Sequence, residues 1–135
     1  MTLLRDDQLP LRTPEDIVLA RQTVREFAVQ LGFSLVEQTK VVTAASELAR
    51  NTLVHGKGGS LRVEALNDGP RAGLRLTFED QGPGIRNLDE ALRDGFTTGS
   101  GLGLGLGGAR RLSSEFDIVS EPGRGTRVQI TRWRP

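Results

Sequence analysis

Glu47 and Asn51 stand four residues apart in the run Ser46-Glu-Leu-Ala-Arg-Asn51. On a helix that spacing projects a carboxylate and an amide from one face. An enzyme acting on a nucleotide needs a base beside the attacking oxygen and a few oxygen ligands for Mg²⁺, which takes its other positions from phosphates and water. One carboxylate and one amide oxygen meet that need. Taken alone, such a pair more often forms a solvated polar stripe on an amphipathic helix. His55, one turn further on, reads by itself as a helix-end cap or dipole partner.

Two other stretches suit the same face. In Asp80-Gln-Gly82-Pro-Gly84-Ile85, an Asp at the exit of a strand could accept a hydrogen bond from an exocyclic amine such as that of adenine. The glycines would let backbone approach the base. A plain tight turn would use the same residue types. The ladder Gly99-Ser-Gly101-Leu-Gly103-Leu-Gly105-Leu-Gly107-Gly108 would expose successive N–H groups to an anion ahead of a helix. Its formal G-x-G-x-x-G match at Gly103, Gly105 and Gly108 is not a dinucleotide fingerprint, because no apolar strand precedes it and too little chain follows. Neither Lys40 nor Lys57 ends a P-loop spacing.

The elements that must position these residues are legible in outline. Gln8–Arg12 reads as a short edge strand carrying Pro10. Thr13-Pro14-Glu15-Asp16 starts a helix with a cap, a proline and acids facing the dipole. Its apolar positions run from Ile17 to Leu31, and Gly32 stops it. Ser34-Leu-Val-Glu37 reads as a capping box opening a second helix over Leu35–Val54, which carries Glu47, Asn51 and His55. Ser60–Asn67 and Leu74–Phe78 alternate as the strands of a hairpin joined by the turn-rich 67–73 segment. A short helix is expected over Leu88–Leu92 and another over Leu104–Leu112. Phe116–Ser120 and Thr126–Trp133 form a closing hairpin around Glu121–Gly125. The expectation is one α+β domain over residues 1–135, a two-layer sandwich with a mixed sheet of about five strands and three main helices on one face.

Composition narrows the function. With 135 residues the chain has length for a single core, and scarce aromatics leave that core to Leu, Val, Ile and Ala. A net charge of +1 gives no field that would mark nucleic acid or membrane as the partner. The absence of Cys excludes disulfides and thiolate chemistry and accords with a reducing cytoplasm. No signal peptide or spanning segment is visible, so a cytoplasmic location is expected.

In order and spacing, these stretches together resemble the GHKL ATPase superfamily with its Bergerat-type fold. Glu47 and Asn51 look like its N box, and Asp80-x-Gly82-x-Gly84 like its first glycine box. The ladder from Gly99 to Gly105 looks like the second, and Gly125-Thr126-x-Val128 like its threonine motif. Within the superfamily, Ser46–Asn51, Glu79–Ile85 and Asp94-Gly-Phe-Thr-Thr98 most resemble bacterial serine/threonine switch kinases of the RsbT stressosome type. The resemblance implies ATP and Mg²⁺ as cofactors, Glu47 as catalytic base toward the substrate hydroxyl and Asn51 as the metal ligand. It implies Asp80 on the adenine amine, with Gly82, Gly84 and Ile85 beside the base and Thr126 supporting that contact. Gly99, Gly101, Gly103 and Gly105 would close over the phosphates, and His55 would lie near them. Partners would be STAS-domain substrate and scaffold proteins (RsbS- and RsbR-like). Phosphorylation would release the kinase to activate a PP2C-type phosphatase.

One departure concerns charge. The segment from Gly95 to Gly101 carries no Arg or Lys, unlike some anti-sigma relatives. Arg50, a partner's group, or Mg²⁺ alone would then serve the γ-phosphate. The rival readings are an anti-sigma factor that sequesters a sigma subunit, and a binding module that uses nucleotide without catalysis. A histidine-kinase catalytic domain fits less well, since no upstream dimerisation helix with a phosphoacceptor His is present.

Overall fold

The computed structural model describes residues 1–92 and 105–135. Thr13, two residues past the end of the first strand at Leu11, caps the first helix. Its hydroxyl accepts from the Asp16 N–H at 3.3 Å, and the Asp16 carboxylate accepts in return from the N–H groups of Thr13 (3.1 Å) and Arg12 (2.9 Å). These bonds hold the Asp16 carboxyl below its usual pKa, the Arg12 N–H contributing most. With Pro14 at the first position, this reciprocal cap starts α1 (Pro14–Gln30). The chain turns at Gly32, which takes the left-handed φ of +82° favoured by a residue without a β-carbon.

α2 (Leu35–Val54) begins where expected, with the Ser34 hydroxyl accepting from the Glu37 N–H. The other half of the expected capping box is not made. Glu37 instead accepts from Arg132 Nε at 2.8 Å, since a guanidinium binds a carboxylate more strongly than one backbone N–H does.

Five strands, β1 (Thr2–Leu11), β2 (Gly59–Asp68), β3 (Arg71–Asp80), β4 (Glu115–Glu121) and β5 (Gly125–Trp133), form one sheet in the order β1-β2-β3-β5-β4. Every neighbouring pair is antiparallel, which corrects the expectation of a mixed sheet. The reason lies in the helices between β1 and β2. At 17 and 20 residues, α1 and α2 cancel each other's travel, so the chain returns to the end it left and Leu11 pairs with Gly59. β1 also starts earlier than Gln8, and Pro10 lies on this edge strand, where its missing N–H is tolerated. The β2–β3 hairpin closes through Gly69 and Pro70 alone, tighter than the loop expected over 67–73.

One face of the sheet meets the helices. Leu61, Val63, Leu74, Leu76, Phe78 and Ile130 are buried there against Val24, Phe27, Val41, Ala44 and Leu48. The opposite face carries a charged lattice in which Arg75 grips the buried Glu64 at 2.9 Å and 3.1 Å. After the short α3 (Leu88–Ala91), α4 (Gly105–Arg111) packs on α2. Leu106, Gly107, Gly108 and Ala109 are all buried, so the end of the glycine ladder serves close helix packing. Among the described residues, no helix is long and apolar enough to cross a membrane.

Candidate nucleotide site

A cavity of about 450 Å³ opens where the C-terminal half of α2 faces the ends of β3 and β5, with α3 and Gly105 closing the sides. Glu47, Asn51, Asp80, Gly84, Ile85 and Thr126 all line it, as do Arg50 and His55. The helix, the Asp80 turn and the threonine strand are thus brought together. Of the ladder, Gly105 lines the cavity as the first residue of α4, with a φ of +51°. Gly99, Gly101 and Gly103 lie outside the described residues.

The two polar residues of α2 differ in setting. Only a tenth of the Glu47 side chain is exposed, and Arg50 Nη2 donates to both its carboxylate oxygens, at 3.3 Å and 3.4 Å. Asn51 is half-buried on the same helix face, one turn along. Its backbone carbonyl oxygen accepts from the N–H groups of both His55 and Gly56, which ends the helix at the cavity rim and leaves the side-chain amide out of these bonds.

Asp80 is held by glycine on two sides. Its Oδ1 accepts from the Gly82 N–H at 2.9 Å. A β-carbon on Gly56 would stand 2.3 Å from the Asp80 carboxyl carbon, and one on Gly82 would stand 2.7 Å from Gly56 Cα. Gly84 has a φ of +77°, and a β-carbon there would meet the Glu121 carbonyl at 2.1 Å. Close backbone approach, rather than turn propensity alone, explains why these positions are glycine.

Thr126 is the cross-strand partner of Asp80. Its hydroxyl lies 2.8 Å from Ser120 Oγ, which also accepts from the Ile85 N–H at 2.8 Å. Ser120 escaped the sequence reading. The available signal was the closing hairpin, whose turn makes it the partner of Thr126. Arg86, Asn87 and Glu90 also line the cavity without having been anticipated. Arg86 adds a second cation beside Arg50.

No group of three or more His, Asp or Glu among the described residues could hold a metal by itself. The donor set instead suits Mg²⁺ bound chiefly by phosphates and water, with one or two protein oxygens such as the Asn51 amide.

An α/β sandwich with a helix-borne Glu/Asn pair facing a glycine-flanked Asp is the arrangement of an ATPase domain. The model of the histidine kinase-, DNA gyrase B- and HSP90-like ATPases matches residues 36–134, and the chain belongs to that family. It is of the serine/threonine-kinase type within it. The chain is 44% identical over 123 residues to the serine/threonine-protein kinase RsbT of Bacillus subtilis, covering 91% of this chain and 92% of that protein. It is also 33% identical over 121 residues to the anti-sigma F factor of Bacillus cytotoxicus, covering 84% and 82%. The crystal structure of the RsbU and RsbW domains of a Mycobacterium tuberculosis protein superposes with a TM-score of 0.66 at 23% identity. That likeness covers 98% of this chain but about a third of the other, and it shows the shared fold. The expected superfamily and its RsbT-like branch are borne out.

Proposed function

We propose that the protein is an ATP- and Mg²⁺-dependent kinase that phosphorylates Ser or Thr on STAS-domain partners in a partner-switching pathway. The observation that carries this reading is the placement of Glu47, Asn51 and Asp80 on one cavity. Asp80 accepts from the adenine amine, with Gly84 and Ile85 against the base and Thr126 beside the carboxylate. Asn51 supplies an amide oxygen to Mg²⁺. His55 and Gly105 flank the phosphate end, and the family resemblance would have Gly99, Gly101 and Gly103 close over it. When bound, the metal neutralises charge on the β- and γ-phosphates. Glu47 takes the proton of the incoming hydroxyl as its oxygen bonds to the γ-phosphorus and the bond to ADP breaks.

Phosphate adds nearly two negative charges to the partner's surface, and that is a physical means of ending an interface. The resemblance to RsbT supports release from a STAS scaffold, followed by activation of a PP2C-type phosphatase. The test is to incubate the protein with ATP, Mg²⁺ and STAS proteins encoded nearby, then to map phosphate by mass spectrometry. Transfer to one Ser or Thr of a STAS domain is expected. Retention of a sigma subunit without such transfer would favour the sequestering role named by the anti-sigma F relative.

A further inference from the structure

We propose that the protein substrate is read along the line of α2 that continues past Glu47, where Arg50 takes an acidic side chain and Val54 an apolar one beside the phosphoacceptor hydroxyl. The inference rests on the protein-kinase reading of this cavity and names what the substrate must carry. Glu47, Arg50 and Val54 stand at i, i+3 and i+7, on one helix face, and all three line the cavity. Exposure rises along that line, from 10% of the Glu47 side chain through 37% of Arg50 to 59% of Val54. The line therefore climbs from the base to an apolar side chain on the rim. Val41, Ala44, Ala45 and Leu48 of the same helix are buried in the core, so Val54 is the apolar residue that core packing leaves over. On an open surface a single exposed valine needs no explanation. At the mouth through which a protein hydroxyl must pass, it is a contact point.

Arg50 keeps donors available. Its Nη2 donates to both Glu47 oxygens, and among the described residues its Nε and Nη1 make no hydrogen bond. A guanidinium has five N–H donors in a planar fork, so one part can hold the base while another receives a carboxylate. The surrounding charge favours an acid. Between residues 38 and 61 the chain carries Lys40, Arg50 and Lys57, and its one acid is Glu47. Lys40 is paired with Glu37 at 3.4 Å, whereas Lys57 is exposed and forms no ion pair among the described residues. The end of α2 thus meets the substrate as a cationic surface with one apolar point. At 1.5 Å per residue, Arg50 lies about 4.5 Å and Val54 about 10 Å along the helix from Glu47. An extended chain covers those distances in roughly one and three residues. The substrate is expected to carry an acid next to its Ser or Thr and an apolar residue about three away, or to bring such side chains there by its fold.

The test uses the STAS-domain protein that accepts phosphate from the wild-type kinase, and reads its KM alongside the dissociation constant of ATP. Val54→Ala should raise that KM about tenfold, the transfer value of the two carbons removed, and leave ATP affinity within about twofold. Val54→Thr, which keeps the shape, should do the same to a lesser degree, and a melting curve reports whether either variant disturbs folding. Lys57→Glu should raise KM several-fold at low salt and less at high salt. A double-mutant cycle examines Arg50. Neutralising the acid beside the acceptor, Asp→Asn or Glu→Gln, should raise KM about tenfold with wild-type kinase and add little with Arg50→Gln. An unchanged KM in both Val54 variants, an acceptor with no acid in reach, or simple additivity in the cycle would overturn the inference. Additivity together with weaker ATP binding in Arg50→Gln would assign that side chain to the γ-phosphate instead. A wild-type protein that transfers phosphate to no STAS protein would overturn the reading beneath it as well, so the two failures are distinct.

Discussion

The α-carbon face of Gly56 lies against the Asp80 carboxyl group so closely that a β-carbon would stand 2.3 Å from Asp80 Cγ and 2.4 Å from Oδ2. Gly56 also donates its N–H to the Asn51 carbonyl at 3.1 Å. One glycine therefore sets the spacing between the end of α2 and the carboxylate across the cavity. Gly56→Ala must push Asp80 aside, and the loss of one charge-assisted hydrogen bond to the base is expected to weaken ATP by about tenfold or more. Nucleotide titration checks this, alongside a melting curve. Undiminished affinity in a folded variant would show that Asp80 is not the base contact.

Stability should depend on pH through Glu37. Its carboxyl is held below the usual value of 4.5 chiefly by hydrogen bonds from Arg132, and by the charges of Arg132 and Lys40. Because the folded-state pKa is the lower one, the pair's contribution is fully present above about 4.5 and is lost as pH falls through the folded value. Both side chains are largely shielded, at 13% and 16% exposed. Glu37→Gln is expected to cost about 1–2 kcal/mol at neutral pH and to flatten the acid limb of stability. Denaturant titrations at pH 7 and below pH 4 would show it. Parallel acid limbs for variant and wild type would remove Glu37 from the account.

What the sequence shows of this fold follows the range of the interactions. α2 is found over the expected Leu35–Val54 because its signals are local: the Ser34 cap, an apolar face and glycines after His55. Glu37 was misread because its position completes a local capping motif, while its actual partner, Arg132, is 95 residues away. The first half of β1 has no alternation to announce it. It is held by pairing with β2 and by the Arg5 guanidinium over the Phe27 ring at 4.1 Å. The site was more legible than its supports. Glu47, Asn51, Asp80 and Thr126 sit in motifs of fixed spacing, whereas Ser120 acquires meaning only when β4 is laid beside β5.

Gly84 is expected to be intolerant of any side chain. At a φ of +77°, with the Glu121 carbonyl 2.1 Å from where a β-carbon would sit, Gly84→Ala combines left-handed strain with a backbone clash. The neighbouring Ile85 N–H bond to Ser120 would be pulled out of line. A loss of about 2 kcal/mol or more is expected, together with weaker nucleotide binding. Urea denaturation measures the first and titration the second. A variant as stable as wild type would mean that the 82–86 turn relaxes freely and positions nothing.

Glu47 and Arg50 should separate cleanly in kinetics. Glu47→Gln keeps the shape and removes the base, so phosphotransfer to a protein hydroxyl should fall by about 10²- to 10⁴-fold while ATP affinity changes little. Arg50 is 37% exposed, and its ion pair with Glu47 contributes under about 1 kcal/mol to folding. Its expected value is orientation: Nη2 spans both carboxylate oxygens and fixes the plane of the base. Arg50→Gln should therefore leave the melting temperature almost unchanged and lower the turnover rate by about tenfold, with Arg50→Lys recovering part of the loss because it keeps the charge on a more flexible stem without the planar guanidinium. Single-turnover transfer at saturating ATP reads the chemical step directly. If Glu47→Gln transfers phosphate at the wild-type rate, the proton leaves by another route, and the Glu47–Arg50 pair is a solvated feature of α2 after all.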